Sequence, residues 1–483
     1  MNTRLRSTLH ASSLLSTLLL ASMGCTGGPV QPPDEDPTDC EGTNGCGSLS
    51  SPACSRVHLW DVFQFGTDQD DTGVVVGADG DCNIYVAGNT RGRFSGGGDV
   101  ITSEAGAMQD IFSIRLPAVM PPEDPSDSVD LPFPRVIQLG SSLDDSVKDF
   151  AIADDRTVFL VGATAGQMPG ASEPGQGFND IFATKLNSRG QREWTQQYGS
   201  AEEDSALAVA LRREASGVNV YIAGTTQEQV DRGFEITLDI LGPTGAAISR
   251  ATYGTIDHDR AEGLALDASG NIFIVGSTMG DYSEPGSHAG STDAFVTKIA
   301  QQNLAEEEWK SQIATSDIDA ALDVVVDADG NVYVLAVSFS DLDEGQSEND
   351  GIQNSFLIKY AAGSGRPEWT RRIGSKSQYS RATGLALDAQ KRIYVAGFTT
   401  GSMVEGVGNK GGRDAFVARY DAEGVKNWAR QIGTAGTDEA SDVVVTKAGD
   451  VVITGFTTGD LWGLGNQGRQ DAFIARFNPS SQP

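Results

Sequence analysis

The sequence predicts an all-β fold, a seven-bladed β-propeller of four-stranded antiparallel blades, on three observations. A step of an apolar residue, Gly and Ser or Thr recurs seven times. Each interval carries the same four short apolar pieces. The fourth piece stands before the first step and is missing after the last. The steps are FGT at Phe65, LGS at Leu139, YGS at Tyr198, YGT at Tyr253, IAT at Ile313, IGS at Ile373 and IGT at Ile432. Their central residues, Gly66, Gly140, Gly199, Gly254, Ala314, Gly374 and Gly433, lie 74, 59, 55, 60, 60 and 59 residues apart. The first interval is long because Pro117 to Pro134 holds six prolines, which reads as a surface excursion rather than a strand.

The four pieces are clearest in the sixth unit: ATGLALD from Ala382, RIYVAG from Arg392, DAFVARY from Asp414 and NWARQIG from Asn427. The fourth type is anchored by Trp194, Trp309, Trp369 and Trp428. All are short, rich in Val, Ile, Tyr and Phe, and separated by Gly, Asp and Asn turns, which is strand chemistry. No segment of the repeat keeps a helical period, so each unit is a four-stranded antiparallel sheet. The last unit stops after DAFIARF at Phe477, and VHLWDVFQFG precedes the first step. Pairing these two pieces closes a ring and hides edges that an open array would expose.

The motifs NIYVAGNT, NIFIVGST, NVYVLAVS and RIYVAGFT, followed by DAFVTKI or DAFVARY and then a Trp four residues before Ile, resemble those of the SBBP-repeat family. These are bacterial extracellular proteins named for a seven-bladed β-propeller. The resemblance runs from Arg56 to Phe477 and implies a surface propeller without supplying a catalytic residue. The third unit departs from it, with GFEITLDI at Gly233 and no Trp ahead of Tyr253.

The N-terminus reads as an export signal, residues 1–24: Arg4 and Arg6 precede an apolar run, then small residues lead to Cys25. LLLASMGC resembles a bacterial lipobox, departing from it at Ser22, and implies lipid on Cys25 as the membrane anchor. Residues 25–55, rich in Pro, Asp and Glu, are expected to be an extended tether. The propeller takes 56–477 and a short tail 478–483. Cys40, Cys46, Cys54 and Cys82 are an even set in an oxidising compartment, hence candidate disulfide cysteines with three possible pairings. The expected place is the outer membrane of a bacterium, periplasmic or surface-facing.

Composition narrows the partners. With 35 Lys and Arg against 66 Asp and Glu, the formal charge is −31, which excludes nucleic acid as an expected partner. An Asp stands five residues after the step in six units, at Asp71, Asp145, Asp204, Asp259, Asp319 and Asp438. It is read as capping backbone N–H groups rather than as a ring of metal ligands. Asp267, Asp327 and Asp329 open turns that look like calcium loops. The twelfth positions are Thr278 and Ser338 instead of Glu, so Ca2+ is only a weak candidate and no cofactor is expected.

An apolar residue six after the end of the YVAG piece, Phe94, Met168, Val230, Tyr282, Leu342, Met403 or Leu461, is expected to pin the following loop. Unrepeated aromatics near these positions, Tyr282 and Trp462, are the candidate ligand contacts. Only four histidines occur and no GxSxG, HExxH or Walker motif accompanies them, so no catalytic residue is assigned. The expected function is a monomeric, non-enzymatic scaffold binding protein or cell-surface glycan. A polysaccharide hydrolase or lyase using carboxylates at the ring centre, or a structural envelope component, are the alternatives.

Overall fold

The computed structural model describes residues 62–94, 100–102, 108–118, 135–172, 175–227, 233–343, 352–375, 377–461, 463 and 465–478. The signal, the tether, Cys25, Cys40, Cys46, Cys54, Val230, Trp462 and most of the Pro-rich excursion lie outside them. The described chain forms seven antiparallel sheets and no helix. Six sheets have four strands. The sheet of blade one has five, because Val100–Thr102 from the loop after its second strand adds in parallel to the outer strand Arg135–Gly140.

The first strand of each unit is innermost: Asp71–Ala78, Asp145–Ile152, Asp204–Glu214, Asp259–Leu266, Asp319–Val326, Ser380–Leu387 and Asp438–Val445. Each touches the equivalent strand of the next unit, and Asp438–Val445 touches Asp71–Ala78, so the ring is closed. Closure is made by Val62–Phe65, which pairs antiparallel with Asp471–Phe477, setting Val62 opposite Ala475 and Phe65 opposite Ala472. The seven hydrophobic clusters each fall between two neighbouring blades, so every blade depends on its neighbours for its core. The DAF-type Phe of the third strand, Phe112, Phe182, Phe295, Phe356, Phe416 and Phe473, is fully buried. Truncation to Ala at such a site costs ~3–5 kcal/mol.

All seven inner strands carry a β-bulge at the same place, shown by register shifts between Gly73 and Val75, Val147 and Asp149, and their five equivalents. The bulge brings inner-strand carbonyls against the second strand, and this explains the Gly of the YVAG piece. A methyl at Gly162 would lie 2.0 Å from the Ser146 carbonyl oxygen, and one at Gly276 would lie 1.8 Å from that of Arg260.

The Gly of the repeated step answers a second crowding. Gly199 lies over two carboxylates, and a methyl there would meet Asp180 Oδ1 at 2.5 Å and Asp204 Oδ2 at 2.7 Å. Asp204 accepts from Ser200 N–H at 2.6 Å and from its hydroxyl at 2.8 Å, the N–H cap expected of this Asp. Asp180 belongs to a clamp built around Gln197. That side chain donates to Asp180 Oδ2 at 2.9 Å and to the Gly166 carbonyl at 2.7 Å, and accepts from Met168 N–H at 2.8 Å. Gln64, Gln138, Gln312 and Gln431 clamp Leu461, Phe94, Tyr282 and Met403 in the same way.

Candidate functional site: the channel and the loop face

The ring has two places where unrepeated side chains gather. The first is the wall of the central channel at the inner-strand bulges. The residue just past the bulge is Asp in three units, Asp149, Asp323 and Asp442, and Val75, Ala208, Gly263 and Gly384 in the others. Asp149 accepts from Phe150 N–H at 2.7 Å and, across the blade boundary, from Val209 N–H at 2.8 Å. Asp323 does the same with Val324 and Leu385, and Asp442 with Val443 and Val76. Each carboxylate therefore ties its strand to the next blade, and Asp442 ties the last blade to the first.

Burial within the ring is the main cause that raises all three carboxyls. Asp149 is pushed up to about 7 and Asp442 up to about 6, while Asp323 stands well above the usual carboxylate range. The Asp442 charge raises Asp149 and Asp323 further, so the three share one electrostatic field. Lys148, the extra residue of the blade-two bulge, is lowered first by burial and then by Arg260, which is ion-paired with Glu262 at 2.7 Å in blade four.

The second place is the end of the ring where the inner strands begin, here the loop face. Seven of the nine large apolar residues exposed among the described residues lie in its loops: Met108, Leu143, Phe178, Ile256, Met279, Ile318 and Val407. Phe178 and Ile256 are 74% and 78% exposed. The opposite end, the turn face, carries Val425 and, at the start of the strand Ala247–Tyr253, Ile248.

The predicted residues are placed as follows. Tyr282 is a correction: it is 3% exposed, its ring stacks on Phe295 at 4.4 Å, and its hydroxyl donates to Glu307 at 2.7 Å. It pins its loop as Met168, Met403 and Leu461 do, and is closed to a ligand. Trp462 falls outside the described residues. Cys82 is buried and disulfide-bonded, and every other cysteine of the chain lies before the described residues.

Asp327 Oδ1 accepts from Asp329 N–H and Asn331 N–H at 2.9 Å each, and its Oδ2 accepts from the Asn331 amide at 2.8 Å. Asp329 pairs with Lys391 of the next blade. Asp267 holds Asn271 in the same fashion. These carboxylates build hairpins, and no group of three or more His, Cys, Asp or Glu among the described residues is arranged to hold a metal ion. His258 is exposed, its ring tilted against that of Phe234 at 5.3 Å between centres, and it accepts the Phe234 N–H at 3.2 Å.

Sequence reasoning missed the channel carboxylates and the Gln clamp. The former repeat in only three units. The latter is legible as a Gln two residues before the centre of the step, in QFG, QLG, QYG, QIA and QIG.

No protein-family model matches the chain. A curated relative, Regulatory protein FlaEY of Caulobacter vibrioides, is 26% identical over 234 residues, 44% of this chain, and the match spans 23% of that protein. Similar solved structures include the hydrazine synthase of Kuenenia stuttgartiensis, 10% identical with a TM-score of 0.47, covering 86% of this chain and 97% of that one. Polysaccharide lyase Uly1 is 10% identical with a TM-score of 0.44, over 88% and 94%. The α-L-arabinofuranosidase Arb93A of Fusarium graminearum is 9% identical with a TM-score of 0.41, over 68% and 93%.

The expectation that the chain is not an enzyme is withdrawn, because want of a familiar motif does not exclude chemistry. At 9–10% identity and TM-scores below 0.5 the likenesses to a lyase and a glycosidase decide nothing about it. They assign no activity to it. The chain is a closed, seven-bladed, all-β propeller.

Proposed function

We propose that the protein is an exported interaction scaffold of the bacterial envelope, of the SBBP-repeat kind, anchored by lipid on Cys25 and working through its loop face on a protein or glycan partner. The observation that carries this reading is the concentration of exposed, unrepeated apolar side chains on that face, seven of the nine among the described residues, above a repeated scaffold. Exposed apolar side chains concentrated on one face favour an interaction surface there. Leu, Ile and Met predominate over aromatic rings, which favours a protein partner over a sugar.

Crosslinking in envelope fractions tests it, comparing the wild type with F178S/I256S/I318S and with V425S on the turn face. A partner lost only from the first variant supports the reading. One lost only from the second, or from neither, overturns it.

The channel supports a second reading, acid–base chemistry by Asp149, Asp323 and Asp442, whose carboxyls burial raises above the usual carboxylate range. Each already accepts two backbone N–H groups, which serves ring closure. Polysaccharide cleavage lost in D323N would favour chemistry. Unchanged cleavage, or none in the wild type, would remove it.

A further inference from the structure

The loop face is divided into two arcs, and the division says what kind of partner fits. At four successive blade junctions, one/two to four/five, an exposed apolar residue stands beside a carboxylate. The pairs are Leu143 with Asp144, Phe178 with Glu202 and Glu203, Ile256 with Asp257, and Ile318 with Asp317. Phe178 is held there by its N–H, which donates to the Glu202 carbonyl at 3.2 Å. Met108 and Met279 flank the same arc.

None of these five carboxylates has an ion-pair partner among the described residues. Their oxygens take at most uncharged donors, such as Gln109 N–H on Asp144 and the Ser340 hydroxyl on Asp317. The other arc neutralises itself only in part, Asp68, Glu405 and Asp460 being without an ion-pair partner among the described residues. Arg413 pairs with Glu439 and lies 4.8 Å from the Phe398 ring centre and 5.7 Å from that of Tyr379, and Arg469 pairs with Asp70 at 2.9 Å. Val407, 37% exposed, is the one large exposed apolar residue described there.

We propose that the arc from blade one to blade five docks a basic, amphipathic protein segment, its apolar side chains against Leu143, Phe178, Ile256 and Ile318 and its Lys or Arg groups beside Asp144, Glu202, Glu203, Asp257 and Asp317. The proposal rests on the loop-face reading above and names the partner's chemistry. Charge complementarity carries it. A chain of net charge −31 with uncompensated acids set between apolar side chains rejects acidic surfaces, anionic lipid included, and attracts cationic ones. The apolar residues supply what charge alone does not, a contact that persists when salt screens the acids.

The probe is a short Lys/Leu peptide with its leucines at helical spacing, titrated into the full chain by calorimetry. A Lys/Ser peptide of equal charge and a Glu/Leu peptide serve as controls. Lys/Leu should bind about tenfold more tightly than either control, and weaken about tenfold as salt rises from about 50 to about 300 mM.

The variants L143S/I256S/I318S and D144N/D257N/D317N should each lose about tenfold in affinity, the second also losing the salt dependence, while V425S binds as the wild type does. Equal binding of Lys/Ser, or wild-type affinity in both arc variants, overturns the proposal as mere attraction to a polyanion. Equal binding of Glu/Leu overturns its charge component. An envelope partner lost with F178S/I256S/I318S alongside failure of the peptide would leave the loop-face reading standing and remove this one.

Discussion

The junction between blades two and three and the junction between blades five and six do one job with different residues. At two/three, Asp180, Asp204 and Gln197 form the clamp. At five/six, the equivalent residues are Asn354, Ser380 and Arg372, and Asp341 in the preceding loop pairs with the Arg372 guanidinium at 2.7 Å. Both partners are buried, with side chains 7% and 9% exposed, and the guanidinium also lies 5.2 Å from the Phe356 ring centre. Ser380 takes the place of the capping Asp and bonds Thr399 at 2.8 Å.

Two acids and an amide at one junction have become an amide, a hydroxyl and an ion pair at the other. The difference teaches that the fold preserves a polar junction between blades, and not particular residues: a buried carboxylate is met by an amide donor at one and by a guanidinium at the other.

The sharpest way to break the comparison is to make the irregular junction half regular. Arg372→Gln restores the repeat's residue but takes from the buried Asp341 its guanidinium partner at 2.7 Å, which should cost about 3–5 kcal/mol of stability. R372Q/D341N removes both charges and should recover most of that loss. Urea unfolding of the two variants decides it: equal destabilisation of single and double would mean the ion pair is not what holds this junction.

The regular junction should tolerate truncation better. Gln197→Ala orphans Met168 N–H and leaves Asp180 Oδ2 with only the Gln176 N–H at 3.1 Å, for about 1–3 kcal/mol, measured as a shift of the urea midpoint at constant slope. A loss as large as that of Arg372→Gln would erase the distinction between neutral and ionic clamps.

Acidity separates the two designs further. Asp145, at the regular junction one/two, is raised to about 6, chiefly by burial, with the nearby Asp110 charge adding to the effect; Ser380 has nothing to titrate. A carboxyl whose folded value is raised binds its proton more readily in the fold than in the unfolded chain. Its stabilising contribution is complete below the unfolded value of about 4 and is lost as pH rises through about 6. Asp145→Asn should therefore flatten part of the fall in stability between pH 4 and 7, followed by thermal melts across that range. An unchanged slope would show that Asp145 does not contribute to it.

How far the sequence could be read follows from the same contrast. The period, the four pieces and the closing strand were legible because every blade must solve the same packing problem and leaves the same residues behind, down to the Gly facing each bulge. The fifth strand of blade one was not, since Val100–Thr102 lies in a loop without a counterpart. Tyr282 misled because an unrepeated aromatic looks like a ligand contact. In fact Tyr fills the slot that Met168 and Met403 fill, and its hydroxyl finds Glu307. The channel carboxylates stayed hidden because a bulge shifts the face on which alternate residues point, so strand periodicity alone could not assign Asp149 to the channel.

The smallest effect expected marks the upper limit of the clamp. Leu143 stands directly above the junction of blades one and two, 43% exposed, held through its backbone, whose N–H donates to the Ser141 hydroxyl at 3.1 Å and whose carbonyl lies 3.3 Å from the same hydroxyl. Its side chain is in none of the seven hydrophobic clusters. Leu143→Ser should therefore change stability by no more than about 0.5 kcal/mol, since it empties no cavity and orphans no polar group. A larger loss in urea unfolding would mean that the rim is part of the scaffold. The exposed apolar residues would then be held in place by folding. A change within that margin leaves Leu143 without a structural reason to be apolar, and a residue of that kind on an accessible face is explained by what it meets from outside.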